Sequence, residues 1–121
     1  MKTLALRDKA DLLRVLSHPT RLAILEGLSQ GAKCVSDIQD LLDVPQANVS
    51  QHLLALRRDR IVDYHEDGKL RCYYITRPRL VKALLRFLDG EYPVVVRSVK
   101  SVRREGRRRE RPSGAACDAS T

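Results

Sequence analysis

Tryptophan is absent from the 121 residues, and four tyrosines and one phenylalanine are the only aromatic side chains. A core must therefore be filled with Leu, Val, Ile and Ala, which suits packed helices. No apolar run approaches the roughly 20 residues that a bilayer-spanning helix needs. Arg7, Asp8 and Lys9 follow the first six residues at once and leave no room for the apolar centre of a signal peptide. A cytoplasmic protein with no membrane partner is the expectation. Only three cysteines occur, Cys34, Cys72 and Cys117, widely spaced and without a C-x-x-C pair, so a secreted disulfide scaffold is not expected and the thiols should be reduced at rest. Glycine-rich phosphate loops and paired acids in a cleft pattern are missing too, as is any nucleophile, base and orienter set that the sequence alone could connect. This argues against an enzyme.

What is abundant is positive charge. The formal net charge is +8 with a pI near 9.9, which favours a polyanionic partner. Between Arg97 and Arg111 eight basic residues stand against two acidic ones, so most of the surplus lies near the C-terminus and the body is only mildly basic. The length supports one modest core. We therefore expect one folded domain over residues 1–96, followed by a basic, disordered tail over 97–121 that buries too little apolar area to order itself.

Along the body, apolar residues recur at helical spacing. Leu12, Leu13 and Leu16 predict a first helix from about Arg7, and Pro19 opens a second that carries Leu22, Ile24, Leu25 and Leu28. A third helix is expected over Val35–Leu42, ended by Val44-Pro45. The fourth reads PQANVSQHLLALRRDR, with Val49, Leu53 and Leu56 on one face. From Ile61 to His65 and from Leu70 to Thr76 the residues turn β-branched and aromatic around Glu66-Asp67-Gly68-Lys69, the pattern of a hairpin. Leu80, Leu84, Leu85 and Leu88 define a fifth helix. The fold class is thus mostly α with a small β-hairpin: a winged helix-turn-helix of about five helices and a two-stranded wing.

That order points to double-stranded DNA. Opposite the apolar stripe of the fourth helix lies a surface that is polar and short-chained at its start, as a face pressed into a groove should be. Gln46, Ala47, Asn48, Ser50, Gln51, His52 and Arg58 are the candidate contacts there, with Gln51 and Asn48 suited to base edges and Ser50 to phosphate. On the wing, Lys69 and Arg71 are candidates for phosphate contact.

The blocks LSHPTRLAILEGL, NVSQHLLALR and DGKLRCYYI, in this order and spacing, resemble the ArsR/SmtB family of bacterial winged-helix repressors over nearly all of Leu12 to Leu88. The resemblance implies a homodimer built by the first and fifth helices. It also implies a fourth helix in the major groove of an operator, and release of that operator on a metal, metalloid or redox signal. Members that hold soft ions through the third helix carry C-V-C-D-L, whereas this chain has Cys34-Val35-Ser36-Asp37-Ile38. A metal or metalloid ion bound through Cys34 would need a partner outside that segment, because a hydroxyl is a poor soft-metal ligand. Cys72, or a cysteine of the second subunit, is the candidate. The zinc-type ligands of the family's fifth helix have no counterpart between Arg79 and Leu88.

Cys34 also sits at a helix N-terminus beside Lys33, where unpaired N–H groups and positive charge should favour the reactive thiolate. Pro45 stands where the family often has an N-cap serine. Arg60 stands where it often has glycine, so the backbone at residue 60 is expected to avoid the left-handed region or the helix to run on. Two alternatives to a signal-released repressor stay open: a basic architectural protein that coats DNA without choosing a site, and a repressor with no thiol-based inducer.

Overall fold

The apolar spacing of the sequence closes into helices where expected. A computed structural model describes residues 4–109. In chain order it contains α1 (Leu6–Leu16), α2 (Pro19–Leu28), β1 (Lys33–Cys34), α3 (Val35–Leu42), α4 (Gln46–Arg58), β2 (Val62–Asp67), β3 (Leu70–Ile75), α5 (Pro78–Asp89) and α6 (Val99–Arg109). The chain divides after Gly90 into two units, each described by itself.

In the first unit the core is aliphatic apart from Tyr73, as the scarcity of aromatics required. Val49, Leu53 and Leu56 of α4 are completely buried, beside Ile24 and Leu25 of α2, Ile38 of α3 and Val81 of α5. Each such side chain contributes about 1.5–3 kcal/mol of hydrophobic stabilisation relative to exposure, so α4 is held mainly by its inward face. The start of α2 is fixed by His18, whose Nδ1 accepts from the Thr20 N–H at 3.0 Å, while Pro19 occupies the first turn.

Arg60 departs from expectation: it does adopt a left-handed backbone, with φ 58°. Such a conformation costs a non-glycine residue about 1–2 kcal/mol, and local hydrogen bonds offset it. The Arg60 N–H donates to the Arg57 carbonyl at 2.9 Å and the Ile61 N–H to the Leu56 carbonyl at 3.0 Å, which is the Schellman pattern of a helix end. Ile61 and Leu56 are both fully buried, giving the motif its apolar contact. Just past the end of β3, the Thr76 hydroxyl donates to the Arg60 carbonyl at 2.6 Å and its N–H to the Ile61 carbonyl at 2.9 Å. The helix therefore stops at Arg58 and turns straight into the wing.

β2 and β3 pair antiparallel from Val62 opposite Ile75 to Asp67 opposite Leu70. Gly68, with φ +65°, takes the first central position of the two-residue turn, where a II′ turn favours glycine. The sheet has a third strand that the sequence did not reveal. β1 pairs antiparallel with β3, with Lys33 opposite Tyr73 and Cys34 opposite Cys72, giving the order β1-β3-β2.

The second unit corrects the expectation of a disordered tail over part of its length, because α6 occupies Val99–Arg109. Arginine, lysine and glutamate are good helix formers. The Ser98 hydroxyl accepts from the Ser101 N–H at 3.1 Å, and Arg97 pairs with Glu105 along the helix. Local terms thus order a segment that buries almost no apolar area. The rest of the expected tail, with Cys117, lies outside the described residues.

Candidate nucleic-acid interface

Burying Val49, Leu53 and Leu56 obliges α4 to present its other side to solvent. Gln46, Ala47, Asn48, Ser50, Gln51 and Arg58 are all exposed there, as the sequence pattern required. His52 is placed differently. It is half-buried against α2, its Nδ1 accepting from Arg21 Nε at 3.1 Å and its ring 4.2 Å from that of His18. Partial burial, then the neighbouring His18 and Arg21, hold the His52 pKa below its ordinary value. Arg21 in turn donates to the Val15 carbonyl at 2.8 Å, so His52 belongs to a brace joining α4 to α2 and the end of α1.

The wing stands beside α4, and between them runs a cleft of about 530 Å³. Gln46, Ser50 and Arg57 line it from α4, Lys69 and Arg71 from the wing, and Cys34 from the start of α3. Lys69 is exposed at the turn. Arg71 is exposed too, yet it is engaged within the protein: its Nε lies 3.8 Å from Glu66, and its guanidinium lies over the Tyr64 ring at 4.6 Å.

Arg57 joins α4 to the wing, and the sequence did not single it out. Its Nε donates to Asp63 Oδ1 at 2.9 Å, and its guanidinium lies 4.5 Å from the centroid of the same Tyr64 ring. The hydrogen bond from Arg57, with another from the Tyr64 N–H, holds the Asp63 carboxyl below its usual range and raises the Arg57 pKa in return. α4 and the wing are thereby tied together by one side chain. The only sequence signal was a second arginine one residue before Arg58, where the outward face grades into the flank.

Cys34 and Cys72, far apart in sequence, meet through the β1 and β3 register, with their sulfurs 3.0 Å apart in hydrogen-bond contact. Both are half-buried. The contact corrects the expectation of an activated Cys34 thiolate. Its hydrogen bond to Cys72, then partial burial and the nearby negative charges, push the Cys34 pKa up to about 11. Cys34 is also the N-cap of α3, yet its side chain makes no capping hydrogen bond. Among the described residues no group of three or more His, Cys, Asp or Glu side chains could hold a metal ion. Two thiols alone do not fit the closed four-ligand site of structural zinc.

The comparisons with known proteins agree with this geometry. Residues 18–64 match the family model described as bacterial regulatory protein, arsR family. The chain is 37% identical over 81 residues to the HTH-type transcriptional regulator MJ1325 of Methanocaldococcus jannaschii, covering 66% of this chain and 90% of that protein. It is 35% identical over 72 residues to the cadmium resistance regulatory protein CadC of Listeria innocua, covering 59% of this chain and 60% of that protein. Among solved structures, the transcriptional repressor PagR of Bacillus anthracis superposes with a TM-score of 0.60 at 34% identity, covering 69% of this chain and 95% of that one. The homodimeric winged helix-turn-helix domain Mb0332 of Mycobacterium bovis gives 0.60 at 26%, covering 74% and 91%. By these matches, and with a buried α4 stripe, an exposed polar face and a wing, the chain belongs to the arsR family of bacterial regulatory proteins, as a winged helix-turn-helix DNA-binding regulator of transcription and not an enzyme.

Proposed function

We propose that the chain is a dimeric repressor that holds an operator through α4 and the wing and lets go when its thiols receive a signal. The observation that carries the reading is the exposed face of α4 set beside Lys69 across a shared cleft. A major groove admits an α-helix, and the exposed Lys69 beside it supports a contact with the flanking phosphates. Gln51 and Asn48 are the base readers, Gln46, Ala47 and Ser50 complete the contact at the start of the helix, and Arg58 and Lys69 hold phosphate. Arg71 contributes only after leaving Glu66, and His52 supports the helix from behind.

A second copy would cover α1 and α5, where Leu6, Leu13 and Leu88 are 81%, 61% and 48% exposed. A twofold dimer would then present two α4 helices to a palindromic site. An operator as target places the protein in the cytoplasm, and among the described residues no helix is long and apolar enough to cross a membrane. The signal acts at Cys34, either as a thiol-reactive compound or as a soft metal or metalloid ion with Cys72 as its second ligand.

Footprinting on the DNA upstream of the protein's own gene tests the reading. A repressor protects a bounded, roughly palindromic stretch, whereas an architectural protein protects diffusely. Diffuse protection would replace this proposal with the architectural one.

A further inference from the structure

We propose that Cys34 and Cys72 close into a reversible intrachain disulfide, and that this bond, formed by an oxidant of the hydroperoxide class, is how the regulator receives its signal. The bond itself stands on the geometry of the pair. Only its consequence at DNA rests on the repressor reading.

The two residues are direct cross-strand partners in the antiparallel pairing of β1 with β3. Cα atoms of such partners lie roughly 4.5–5.5 Å apart, within the span of roughly 4.4–6.8 Å that disulfides bridge. The sulfurs already stand at 3.0 Å, and a disulfide at roughly 2.05 Å requires them to close by about 1 Å. A metal ion would require the opposite movement. Two metal–sulfur bonds of roughly 2.3 Å separate the sulfurs by about 3.8 Å at a tetrahedral angle and about 4.6 Å in line, and two strands joined by their ladder resist either. No third ligand group is present among the described residues to draw an ion in.

The chemistry balances with two thiols and one hydroperoxide. One sulfur, giving up its proton, attacks the terminal peroxide oxygen and becomes a sulfenic acid, while the O–O bond breaks and the leaving alkoxide takes up that proton as the alcohol. The other displaces that hydroxyl, its proton leaving with it as water, so the S–S bond forms while the hydroperoxide is reduced to alcohol and water. A low-molecular-weight thiol reverses the bond by exchange, becoming a disulfide itself.

The position of the pair gives the bond its effect. Cys34 starts α3 and lines the same cleft as Gln46, Ser50, Lys69 and Arg71, and Cys72 lies three residues from Lys69 on β3. Drawing the sulfurs together pulls the middle of β3 toward the start of α3 and shifts Lys69 relative to α4. Phosphate spacing on a duplex is fixed, so a displaced wing no longer meets its phosphate.

The test uses the full chain carrying Cys117→Ser, so that the pair is its only source of thiols. The reduced protein is exposed to hydrogen peroxide, the remaining thiols are alkylated, and peptides are mapped by mass while operator binding is followed. The expected result is a peptide joining Cys34 to Cys72 within one chain, a fall in operator affinity of about tenfold or more, and recovery with dithiothreitol. Cys34→Ser and Cys72→Ser should bind the operator as the reduced parent does and ignore peroxide; Cys34→Ala provides a second variant should serine disturb the strand. The proposal is overturned by a linkage between chains, by no linkage, by an oxidised form that binds normally, or by variants that still respond. Release by mercury(II) with none by peroxide also overturns it, in favour of a metal site. A reduced chain without a bounded footprint refutes the repressor reading instead, and the peptide map still decides whether the bond forms.

Discussion

α4 and α6 are helices of similar length, 13 and 11 residues, held by opposite means. α4 has neither a side-chain cap at Pro45 nor an acidic residue in its first turn, yet three of its residues are sealed in the core. α6 has a serine cap and an ion pair from Arg97, just before the helix, to Glu105, while Val99 and Val102 remain 66% and 51% exposed. Burial can be replaced by capping and pairing, but the replacement is weak, since an exposed ion pair contributes at most about 1 kcal/mol. α4 is therefore expected to open only with the core, and α6 to fray first.

The strongest way to break this comparison is Leu53→Ala, expected to cost about 2–5 kcal/mol of global stability through the cavity it leaves. Urea unfolding followed by circular dichroism measures it; a fall of under about 1 kcal/mol would mean that α4 is not anchored by its buried stripe. On the outer face of the same helix, Gln51→Ala and Asn48→Ala should each lower specific operator affinity by about 1–3 kcal/mol and leave the urea midpoint unchanged. Unaltered operator selectivity in the double variant would refute the groove assignment.

Much of α4 was legible because its period is strong: Val49, Leu53 and Leu56 fix which side is buried, and the exposed face follows by elimination. The hairpin was legible from Gly68 and its β-branched flanks. β1 was not, because two residues show no alternation, and with it the Cys34 and Cys72 contact was hidden, since register is a tertiary fact. The thiolate expectation failed for the same reason: it weighed the helix N-terminus and Lys33 without the sulfur lying opposite. α6 was missed because lack of burial was taken to mean lack of order, when Ser98 and the Arg97 to Glu105 pair act locally. Arg57 could not be told from Arg58 until Asp63 and Tyr64 were placed beside it.

Smaller effects sharpen the contrast. Ser98→Ala should remove about 1 kcal/mol from α6, seen as faster amide exchange there with no change in the global unfolding midpoint. A shifted midpoint would show that the basic helix contributes to the core-built unit. Deleting Arg103 to Thr121 should preserve operator preference but flatten the salt dependence of binding, because a chain that neutralises fewer phosphates releases fewer condensed counterions. An unchanged slope would assign the arginines to another partner.

The smallest effect is on pH. His52 has its folded pKa below the ordinary 6.5, so the fold favours the neutral ring. That contribution is complete above the unfolded pKa and is lost as pH falls through 6.5 toward the lower folded value. Stability should decline as pH falls from neutral through 6.5, and His52→Gln, which keeps an acceptor for Arg21, should reduce the decline. A variant with the parent's pH profile would exclude the brace as its source.

The sheet order β1-β3-β2 also bears on how the protein behaves in a crowded solution. Open strand edges invite pairing with other chains and lead to aggregation. Here β1 covers the middle of β3 at Tyr73 and Cys72, and beyond that cover the exposed Arg71 adds a charge near the tip. The other edge, β2, carries Asp63, His65, Glu66 and Asp67. A strand of only two residues thus shields the stickiest stretch of the wing, leaving a hairpin that can project into solvent without recruiting its neighbours.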